Sequence, residues 1–532
     1  MGAAVLRDSP IETSLIASLI APEPVVTKPR ICACWKCADP HSVEQPRRTC
    51  FPRFLEEKLR ERKSRKLELV NTHNASTPQV DNSVTHQQAL CSTYKGAPAL
   101  LTDMYELTMV DAAILAEKKT GKPVASRAST FEIFSRRLPN ERRYGVVVGV
   151  GRFLDQLQDF RFTDNHIDYC RDFLSEDTLE WMRNYRFTGS ISGYREGELY
   201  FPGSPILTIQ GTFAECVVLE TLALSILNHD SAIGSAAARM SAAADGRTII
   251  EMGARRTHEE SAVAAARAAY IGGFTSTSDM AAGYRWGLPI GGTAAHAFTL
   301  LHTTDKQADE KEAFRNQVAA MDTNTTLLVD TYDITQGVAN AIEVAGPELG
   351  GVRIDSGDLG VLARQVRQQL DSLGAHNTHI VVSGDLDEFS IAALRAEPVD
   401  AYGVGTSLVT GSGAPTAELV YKLVEVEGQA VAKRSSHKET RGGAKQGFRT
   451  ARDTGTMVSE IITPMGAPEP DTGTLQCEKL TIDYVVDGVV QDDLPTLDDA
   501  RELLYNNLRQ LPWEGLSLSR GEPAIPTEFQ GF

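Results

Sequence analysis

The sequence has few cysteines, no long apolar run and no excess of positive charge. Eight cysteines in 532 residues are too few for a disulfide-rich secreted protein. The 53 Lys and Arg against 70 Asp and Glu give a net charge of −17, which argues against nucleic-acid binding. No stretch approaches the roughly 18 uninterrupted apolar residues of a membrane span, and the N-terminus lacks the basic start of a signal peptide. We therefore expect a cytoplasmic protein that binds neither membranes nor nucleic acids.

A break in composition near Gly96 separates a leader from the rest of the chain. Residues 1–95 carry 14 Lys and Arg against 10 Asp and Glu, whereas the remainder is strongly acidic. The leader is rich in Pro, Ser, Thr and Asn, so we predict that it is poorly structured. Some of its side chains could form a zinc knuckle, but only one C-x-x-C pair occurs and a second ligand pair with motif spacing is missing. An unstructured tail, or an overlong start of the reading frame, is therefore the favoured interpretation of the leader. These side chains are Cys32, Cys34, Cys37, His41 and Cys50.

Three further regions follow, and together they predict an α/β protein. Residues 96–230 mix strands and helices as an α+β N-terminal domain, whose first helix is expected behind Thr102 and Asp103. Residues 231–426 alternate short apolar strands with helical stretches. Residues 427–532 add strands, a Gly-rich basic loop and a final helix. We expect this C-terminal segment to pack on the N-terminal domain and complete it.

The middle region predicts an incomplete TIM-like α/β barrel. Its candidate strands are TIIEMG, AAYIGGF, LPIGG, TTLLVD, GVRID, HIVVSG and DAYGVG. Such βα units within about 180 residues are compact for a barrel of about 250 residues. A doubly wound open sheet is the alternative, since sequence alone does not report whether strands close into a ring.

Polar residues cluster just beyond the ends of these strands, where an α/β barrel builds its active site. Asp358 and Asp385 each precede a helix, so helix capping is the structural alternative for both. Glycines at two strand ends let backbone amides approach a phosphate closely. The candidates are Arg255, Arg256, Thr277, Ser278, Asp279, His296, Asp330, Asp355, Asp358, Ser383, Gly384, Asp385, Gly403, Gly405 and Thr406.

Two of these groups indicate more specific chemistry. Arg353 with Asp355 and Asp358 places a cation and two carboxylates at one strand end, a set suited to a sugar phosphate and its Mg²⁺. His296 follows the GGTAA run and can act as a nucleophile or a base. No Walker A pattern occurs. The basic run at 433–449 fits either an anion-binding loop or a solvated surface loop.

From about residue 98 onward, short motifs occur in the order seen in the nicotinate phosphoribosyltransferase family, and the chain resembles that family. The TDMYELTM, GTAAH and DSGD elements together are highly specific, whereas the leader lies outside the resemblance. The motifs are LLTDMYELTM (100–109), EMGARR (251–256), GGF followed by STSD (272–279), GTAAH (292–296), VDTYD (329–333), RIDSGDL (353–359) and YGVGTSL (402–408).

The resemblance implies a type II phosphoribosyltransferase fold and an ATP-coupled reaction of NAD salvage, the Preiss-Handler route. Nicotinate and 5-phosphoribosyl-1-diphosphate would give nicotinate mononucleotide and pyrophosphate, while ATP gives ADP and phosphate. By the resemblance His296 is the histidine that ATP phosphorylates. Asp355 and Asp358 would serve the ribose, and Asp330 with Asp355 would hold Mg²⁺.

The same resemblance implies a homodimer with shared active sites, because Tyr105 resembles an aromatic residue that stacks on the pyridine ring from the neighbouring subunit. The implied substrate-binding residues are Tyr105, Arg255, Thr277, Ser278, Asp279 and Arg353. The implied phosphate-binding residues are Gly384, Gly403, Gly405 and Thr406.

Two positions depart from the family pattern. Asp279 stands where nicotinate enzymes usually carry Asn and nicotinamide-specific relatives carry Asp, and a carboxylate repels the nicotinate carboxylate unless it is neutralised. Met252 stands where many relatives carry Phe. A nicotinamide phosphoribosyltransferase is therefore the first alternative. A non-catalytic sensor of phosphoribosyl ligands is the second, although the intact His296, Asp355 and Asp358 argue against it.

Overall fold

The computed structural model of the chain describes residues 98–304, 307–433 and 441–532. The predicted leader, with its alternative zinc site, lies outside these ranges, and so do Arg434, His437 and Lys438 of the basic run.

Helices and strands alternate through the described residues. The helices are α1 (Met104–Thr120), α2 (Val150–Gln158), α3 (Asp164–Cys170), α4 (Glu176–Asn184), α5 (Phe213–Val217), α6 (Glu220–Ala244), α7 (Glu259–Ile271), α8 (Met280–Trp286), α9 (His296–Leu301), α10 (Glu310–Met321), α11 (Ile334–Ala345), α12 (Leu359–Ser372), α13 (Glu388–Leu394), α14 (Thr406–Val409) and α15 (Leu497–Gln510). The strands are β1 (Ala128–Ser135), β2 (Gly145–Val146), β3 (Ser190–Tyr194), β4 (Leu199–Tyr200), β5 (Leu207–Thr212), β6 (Thr248–Glu251), β7 (Ser276–Thr277), β8 (Thr303–Thr304), β9 (Gln307–Ala308), β10 (Thr326–Leu328), β11 (Gly351–Ile354), β12 (His379–Val382), β13 (Ala401–Val404), β14 (Leu419–Val426), β15 (Gln429–Ala430), β16 (Lys445–Ala451), β17 (Met457–Pro464), β18 (Gln476–Lys479), β19 (Thr481–Val486), β20 (Val489–Val490) and β21 (Thr527–Phe529).

A seven-stranded antiparallel sheet forms the N-terminal domain, in the order β15-β14-β1-β5-β3-β19-β20. β1 lies inside this sheet, and its Phe131 and Ile133 pack into an apolar core. The helix predicted behind Thr102 and Asp103 is confirmed as α1. α1 ends at Gly121, whose φ of 66° is the left-handed conformation that glycine adopts readily.

Six parallel strands form the second large sheet, in the order β10-β11-β12-β13-β6-β7. Neighbouring strands therefore follow one another along the chain. β6 is paired with β7, the strands β10 to β13 are paired in sequence order, and β13 pairs with β6. No ladder among the described residues joins β7 to β10, so the ring is open there. A doubly wound sheet reverses its direction of growth after the first strand. This sheet never reverses, so the predicted incomplete barrel is confirmed.

Two predicted barrel strands are wrong. Most of AAYIGGF forms the end of α7, because the preceding run is rich in alanine, the strongest helix former. LPIGG contributes only one isolated bridge, between Ile290 and Thr277. A short apolar run does not by itself distinguish a buried strand from a buried helix. The two-residue strand β7 follows β6 in the ring instead.

One predicted domain boundary falls within a helix, and the other assigns a strand to a different sheet from the one that it joins. The boundary at 230/231 lies inside α6, a helix of 25 residues. β14, which the range 231–426 assigns to the barrel, pairs with β1 in the N-terminal sheet. Periodicity in the sequence reports that a strand exists but not which sheet it joins.

The C-terminal segment contacts both domains. β19 pairs with β3 in the seven-stranded sheet, whereas β18, β16, β17 and β21 form a separate four-stranded sheet. α15 packs on α7 of the barrel, where Arg501 donates hydrogen bonds to the carbonyls of Tyr270 and Gly273. The C-terminal segment therefore packs on the N-terminal domain as predicted, and it packs on the barrel as well.

Lys445 and Arg449 of the basic run lie in strand β16, not in a loop. Lys445 Nζ lies 2.8 Å from Glu132 Oε2, and Arg449 Nη2 lies 2.9 Å from Glu460 Oε2. All four side chains are buried. The anion-binding interpretation is wrong for these two residues, because their charges are already neutralised by protein carboxylates.

The stretch Phe213–Ala244 is long and apolar enough to span a membrane by length and composition alone. However, 67% of its most apolar window is buried inside the protein. Its charged residues have partners there: Asp230 lies 2.8 Å from Arg152, and Arg239 lies 3.1 Å from Glu388. A core helix passes the same test, so this stretch is weak support for a membrane span.

Candidate active site

The carboxyl ends of the barrel strands meet at one edge, because the strands are parallel and pair in register. Ile354 pairs with Val382, and Val404 pairs with Glu251. The residues that follow these strands therefore lie side by side. They are Met252 after β6, Asp330 after β10, Asp355 after β11, Ser383 and Gly384 after β12, and Gly405 and Thr406 after β13.

His296 begins α9, in the connection between β7 and β10 where the ring is open, and its imidazole faces two of these strand ends. Its Nε2 lies 3.9 Å from Asp330 Oδ1 and 3.9 Å from Asp355 Oδ2. Its Nδ1 lies 3.1 Å from the Thr331 hydroxyl. The imidazole is 41% exposed, so a ligand can reach it. The structure thus brings together three of the predicted residues.

One carboxylate oxygen of Asp330 accepts hydrogen bonds, and the other accepts none from the described residues. Its Oδ2 accepts hydrogen bonds of 2.9 Å from the Asp355 amide and from the Ser356 hydroxyl. Its Oδ1 is buried and has no hydrogen-bond partner in the part of the chain that the structure describes. Leaving a buried acceptor unsatisfied costs free energy, so Oδ1 is available for a cation or a donor supplied by a ligand.

Asp355 is held in its ionised form. Burial alone would raise the pKa of Asp355, but hydrogen bonds from Ser383 and Arg353, the Arg353 charge and His296 outweigh burial and hold that pKa below its usual value. Arg353 Nη2 lies 2.9 Å from Asp355 Oδ1, and Arg353 Nε donates to Ser383 Oγ over 2.9 Å. Arg353 therefore orients this carboxylate, whose second oxygen faces the imidazole.

The turn after β12 has the backbone of an anion-binding loop. Gly384 has a φ of +117°, and a Cβ at this position would lie 2.6 Å from the Asp355 carbonyl oxygen. Asp385, next to it, also has a positive φ of 49°. Strain of this kind concentrates at binding sites, and turns of this type can direct successive amides at an anion.

The other predicted phosphate-binding residues lie at the neighbouring strand end. Gly403 is within β13, against the Met252 side chain, and Gly405 and Thr406 begin α14. Thr406 Oγ1 lies 3.5 Å from Asp385 Oδ1, which places the two strand ends next to each other. Met252 therefore occupies this edge of the site where many family members carry Phe.

Glu251, Thr277 and Asp279 form a chain of hydrogen bonds beside this edge. The buried Thr277 hydroxyl donates to Glu251 Oε2 over 2.6 Å and accepts from the Asp279 amide over 2.9 Å. Burial raises the pKa of Glu251, although hydrogen bonds from Thr277 and Gly253 oppose the shift. The Thr277 side chain thus supports the position of Asp279 from below the surface.

Asp279 caps helix α8. Its Oδ1 accepts hydrogen bonds from the amides of Ala281 (2.8 Å) and Ala282 (3.0 Å). Asp and Asn are about equally good at such a position. Asp279, which stands where nicotinate enzymes usually carry Asn, can therefore form the same helix cap as Asn would.

Ser278, Arg255 and Arg256 are exposed near the same edge. Among the residues described, neither arginine makes a side-chain hydrogen bond or an ion pair. Both can therefore offer a positive charge to an anionic ligand.

Asp358 and Tyr105 make no hydrogen bond or ion pair with His296, Asp330 or Asp355 in the described part of the chain. Asp358 caps α12, where its Oδ1 accepts from the Val361 amide over 3.2 Å, as the structural alternative proposed. Tyr105 lies on α1 in the N-terminal domain. Burial and the neighbouring charge of Glu220 raise the pKa of Tyr105. Within one chain its neighbours belong to that domain.

Glu251 and Thr331 were not predicted from the sequence as site residues, yet Glu251 accepts a hydrogen bond from Thr277 and the Thr331 hydroxyl lies 3.1 Å from His296 Nδ1. Each lies inside a motif that carries the family resemblance, EMGARR and VDTYD. Both could have been predicted as site residues, because each is a polar side chain at or just beyond the end of a buried strand, as are Asp330 and Asp355.

Known proteins have sequences similar to this one. The family model of the nicotinate phosphoribosyltransferase N-terminal domain matches residues 100–228. A nicotinate phosphoribosyltransferase of Mycobacterium tuberculosis is 59% identical over 435 residues, which cover 80% of this chain and 94% of that protein. A nicotinate phosphoribosyltransferase of Bacillus subtilis is 38% identical over 341 residues, which cover 62% of this chain and 67% of that protein.

Solved structures share the fold. The crystal structure of human nicotinic acid phosphoribosyltransferase matches with a TM-score of 0.68 at 26% identity, covering 80% of this chain and 97% of that one. A nicotinate-nucleotide pyrophosphorylase from Pyrococcus furiosus matches with a TM-score of 0.64 at 24% identity, covering 82% and 99%, which is a likeness of fold alone. Because the identity of 59% extends over nearly the whole length of the mycobacterial protein, the chain belongs to the nicotinate phosphoribosyltransferase family.

Proposed function

We propose that the protein transfers a phosphoribosyl group from 5-phosphoribosyl-1-diphosphate to nicotinate, giving nicotinate mononucleotide and pyrophosphate for NAD salvage. The observation that carries the proposal is the cluster of His296, Asp330 and Asp355 at the carboxyl edge of an open barrel. The names of the similar proteins support the same reaction. The low cysteine content supports a cytoplasmic location.

The transfer depends on placing charges around the ribose. Departure of pyrophosphate leaves an oxocarbenium-like centre, which is stabilised by fixed charges and by the position of the incoming nitrogen. The ionised Asp355 can accept the ribose hydroxyl protons in hydrogen bonds. The turn at Gly384 is suited to the 5′-phosphate, and the exposed Arg255 is suited to an anionic substrate group.

ATP would phosphorylate His296. A ring nitrogen displaces ADP from the γ-phosphorus and forms an N–P bond, and water later releases inorganic phosphate and restores the imidazole. The exposed imidazole at the opening of the barrel supports this role. The added negative charge lies beside the site for the diphosphate, so phosphorylation would change how tightly the diphosphate binds.

Asp330 and Asp355 are the residues that would hold Mg²⁺, together with phosphate oxygens of the substrates. Mg²⁺ in phosphate-binding sites is commonly held by one or two carboxylates and the substrate. The buried Asp330 Oδ1, which lacks a hydrogen-bond partner in the described part of the chain, fits this demand. When bound, the cation would neutralise negative charge on the diphosphate.

Nicotinate is the proposed acceptor in preference to nicotinamide. The Asp279 carboxylate is bound to the N-terminus of α8, whose partial positive charge offsets its repulsion of a second carboxylate. Arg255 is free to neutralise the nicotinate carboxylate. Both observations favour the acid over the amide.

A homodimer is the proposed active unit. Large apolar side chains near the barrel opening are exposed, including Tyr284 at 95% and Leu301 at 76%. Met104 and Tyr105 on α1 are exposed as well. Exposed apolar side chains of this size are candidates for burial in an interface. If α1 of a second copy covers the opening, its Tyr105 approaches the site.

Pyrophosphate release tests the reaction, with nicotinate and nicotinamide compared in the presence and absence of ATP. We expect ATP-stimulated turnover on nicotinate alone, and the same preference in Asp279→Asn. Turnover on nicotinamide that Asp279→Asn abolishes would instead identify a nicotinamide enzyme. Ligand binding without turnover on either compound would identify a sensor.

Mixing two inactive variants tests the shared site. Tyr105→Ala and His296→Ala each remove a different part, so a mixed dimer contains one site with both parts intact. We expect activity to reappear after the two variants are unfolded and refolded together. Two inactive proteins that stay inactive as a demonstrated mixed dimer would show that Tyr105 does not act across the interface.

A further inference from the structure

A cavity of about 330 Å³ lies next to the segment that holds His296 and has no role in the reaction described so far. It is lined by the start of α10 (residues 309–311), by Tyr332 and Asp333, and by Gln336 and Asn340 of α11. It is therefore a wedge between the N-terminal ends of two outer helices, at the carboxyl edge of the barrel.

Glu310 lines this cavity with an oxygen that has no partner. The residue is 6% exposed, and its Oε1 makes no hydrogen bond with any residue that the structure describes. Its Oε2 accepts from Asn340 Nδ2 over 2.9 Å, and Asn340 Oδ1 in turn accepts from Gln336 Nε2 over 2.9 Å. This chain of hydrogen bonds fixes the carboxylate and leaves Oε1 for a donor from outside the protein.

The charges around the cavity exclude an anion. Asp309, Glu310 and Asp333 contribute carboxylates, while the one lining cation, Lys311, is paired with Glu343 over 2.7 Å. The lining therefore favours a ligand group that donates hydrogen bonds. Tyr332 is 45% exposed and offers a ring on which a planar heterocycle can stack.

The cavity is close to the imidazole along the chain. Thr331, whose hydroxyl lies 3.1 Å from His296 Nδ1, directly precedes Tyr332 and Asp333. A ligand in the cavity therefore lies next to the segment that contacts His296.

We propose that this cavity binds the adenosine end of ATP, with the adenine ring on Tyr332 and its exocyclic amine donating to Glu310 Oε1. The inference rests on the proposed phosphorylation of His296. It explains why the cavity is acidic although ATP is an anion, because the amine and the ribose hydroxyls enter it and the triphosphate remains outside.

Steady-state kinetics with ATP varied tests the role of Tyr332. Loss of a stacked base costs ~1–3 kcal/mol, so Tyr332→Ala should raise the KM for ATP about tenfold or more. The KM for nicotinate should change less than about twofold, as should the KM for ATP in Tyr332→Phe, which keeps the ring. Tyr169→Ala, at an exposed tyrosine of α3, is the matched control.

Adenosine and inosine test the role of Glu310 by direct binding, without any need for turnover. Inosine carries an oxygen where adenosine carries the amine, so wild type should bind adenosine about tenfold more tightly. Glu310→Gln can donate to that oxygen and should reduce this ratio to about twofold.

An unchanged KM for ATP in Tyr332→Ala, or equal binding of adenosine and inosine by wild type, would overturn the assignment of the cavity. Absence of turnover on nicotinate would contradict the proposed function instead. In that case, adenosine binding that depends on Tyr332 and Glu310 would still support the cavity.

Discussion

Two regions of the molecule gather acidic and basic side chains, and they differ in how these groups are paired. Between β16 and the N-terminal sheet, Arg449 is buried against Glu198 (3.4 Å) and Glu460 (2.9 Å). At the barrel edge, His296 is partly exposed and 3.9 Å from its nearest carboxylates, and Asp330 Oδ1 accepts no hydrogen bond from the described residues. Close pairing satisfies charges within the fold, whereas incomplete pairing leaves them available to a ligand.

The backbone shows the same contrast. β16 continues as a regular antiparallel ladder with β17 over most of its length. At the barrel edge, Gly384 and Asp385 both have positive φ values. The paired region is regular, whereas the edge assigned to the substrate holds a non-glycine residue, Asp385, in a left-handed conformation.

The largest effect is expected where the paired region is broken. Arg449→Leu leaves the buried Glu460 without its cation and Glu198 with only the more distant Arg195, at 3.7 Å. We therefore expect a loss of about 3–5 kcal/mol in the free energy of unfolding. Urea denaturation measures it, and Lys118→Ala, which removes an exposed ion pair with Asp177, is the control. A loss no larger than in the control would show that the buried pairing does not stabilise the fold.

A large effect on activity, with little on stability, is expected from His296→Ala. Removal of the phosphorylated side chain should lower ATP-stimulated turnover about 100-fold or more, while the urea midpoint stays near that of wild type. His379→Ala is the control, because His379 is exposed at the opposite end of β12. Full ATP stimulation in His296→Ala would refute the proposed coupling.

A smaller effect is expected at the α8 cap. Asp279→Ala removes two hydrogen bonds to the helix N-terminus and should cost about 1 kcal/mol of stability, whereas Asp279→Asn should cost only a few tenths. Thermal unfolding of the two variants compares them directly. Equal losses in both would show that the carboxylate charge, not the cap, holds this helix.

The smallest effect is expected in the pH dependence of stability. The pKa of Asp355 is below its usual value of 3.8, so its ionised form stabilises the folded state above that pH, and this contribution is lost as the pH falls through the lowered pKa. Asp355→Asn should therefore lose less stability than wild type on acidification. Urea midpoints across this range measure the difference, with Asp358→Asn as the control. Identical acid profiles for Asp355→Asn and wild type would contradict the assigned shift.

Local sequence was enough to predict many elements and several site positions. α1 follows from the spacing of Leu107 and Val110 behind a capping sequence, and β11 and β12 follow from short apolar runs. Polar residues after such strands identify Asp330 and Asp355, because the ends of parallel strands share one edge. Prediction failed at AAYIGGF, where helix propensity and apolar character point to different structures.

The sequence by itself determined the family, the strands whose apolar runs are bounded by polar turns, and the residue types at the barrel edge. Only the tertiary structure decided that β14 joins the N-terminal sheet, that Lys445 and Arg449 are buried, and that the ring is open beside His296. The physical reason is the separation along the chain of the residues that interact. Periodicity and capping depend on residues a few positions apart, whereas pairs such as Glu132 and Lys445 depend on contacts between distant parts of the chain.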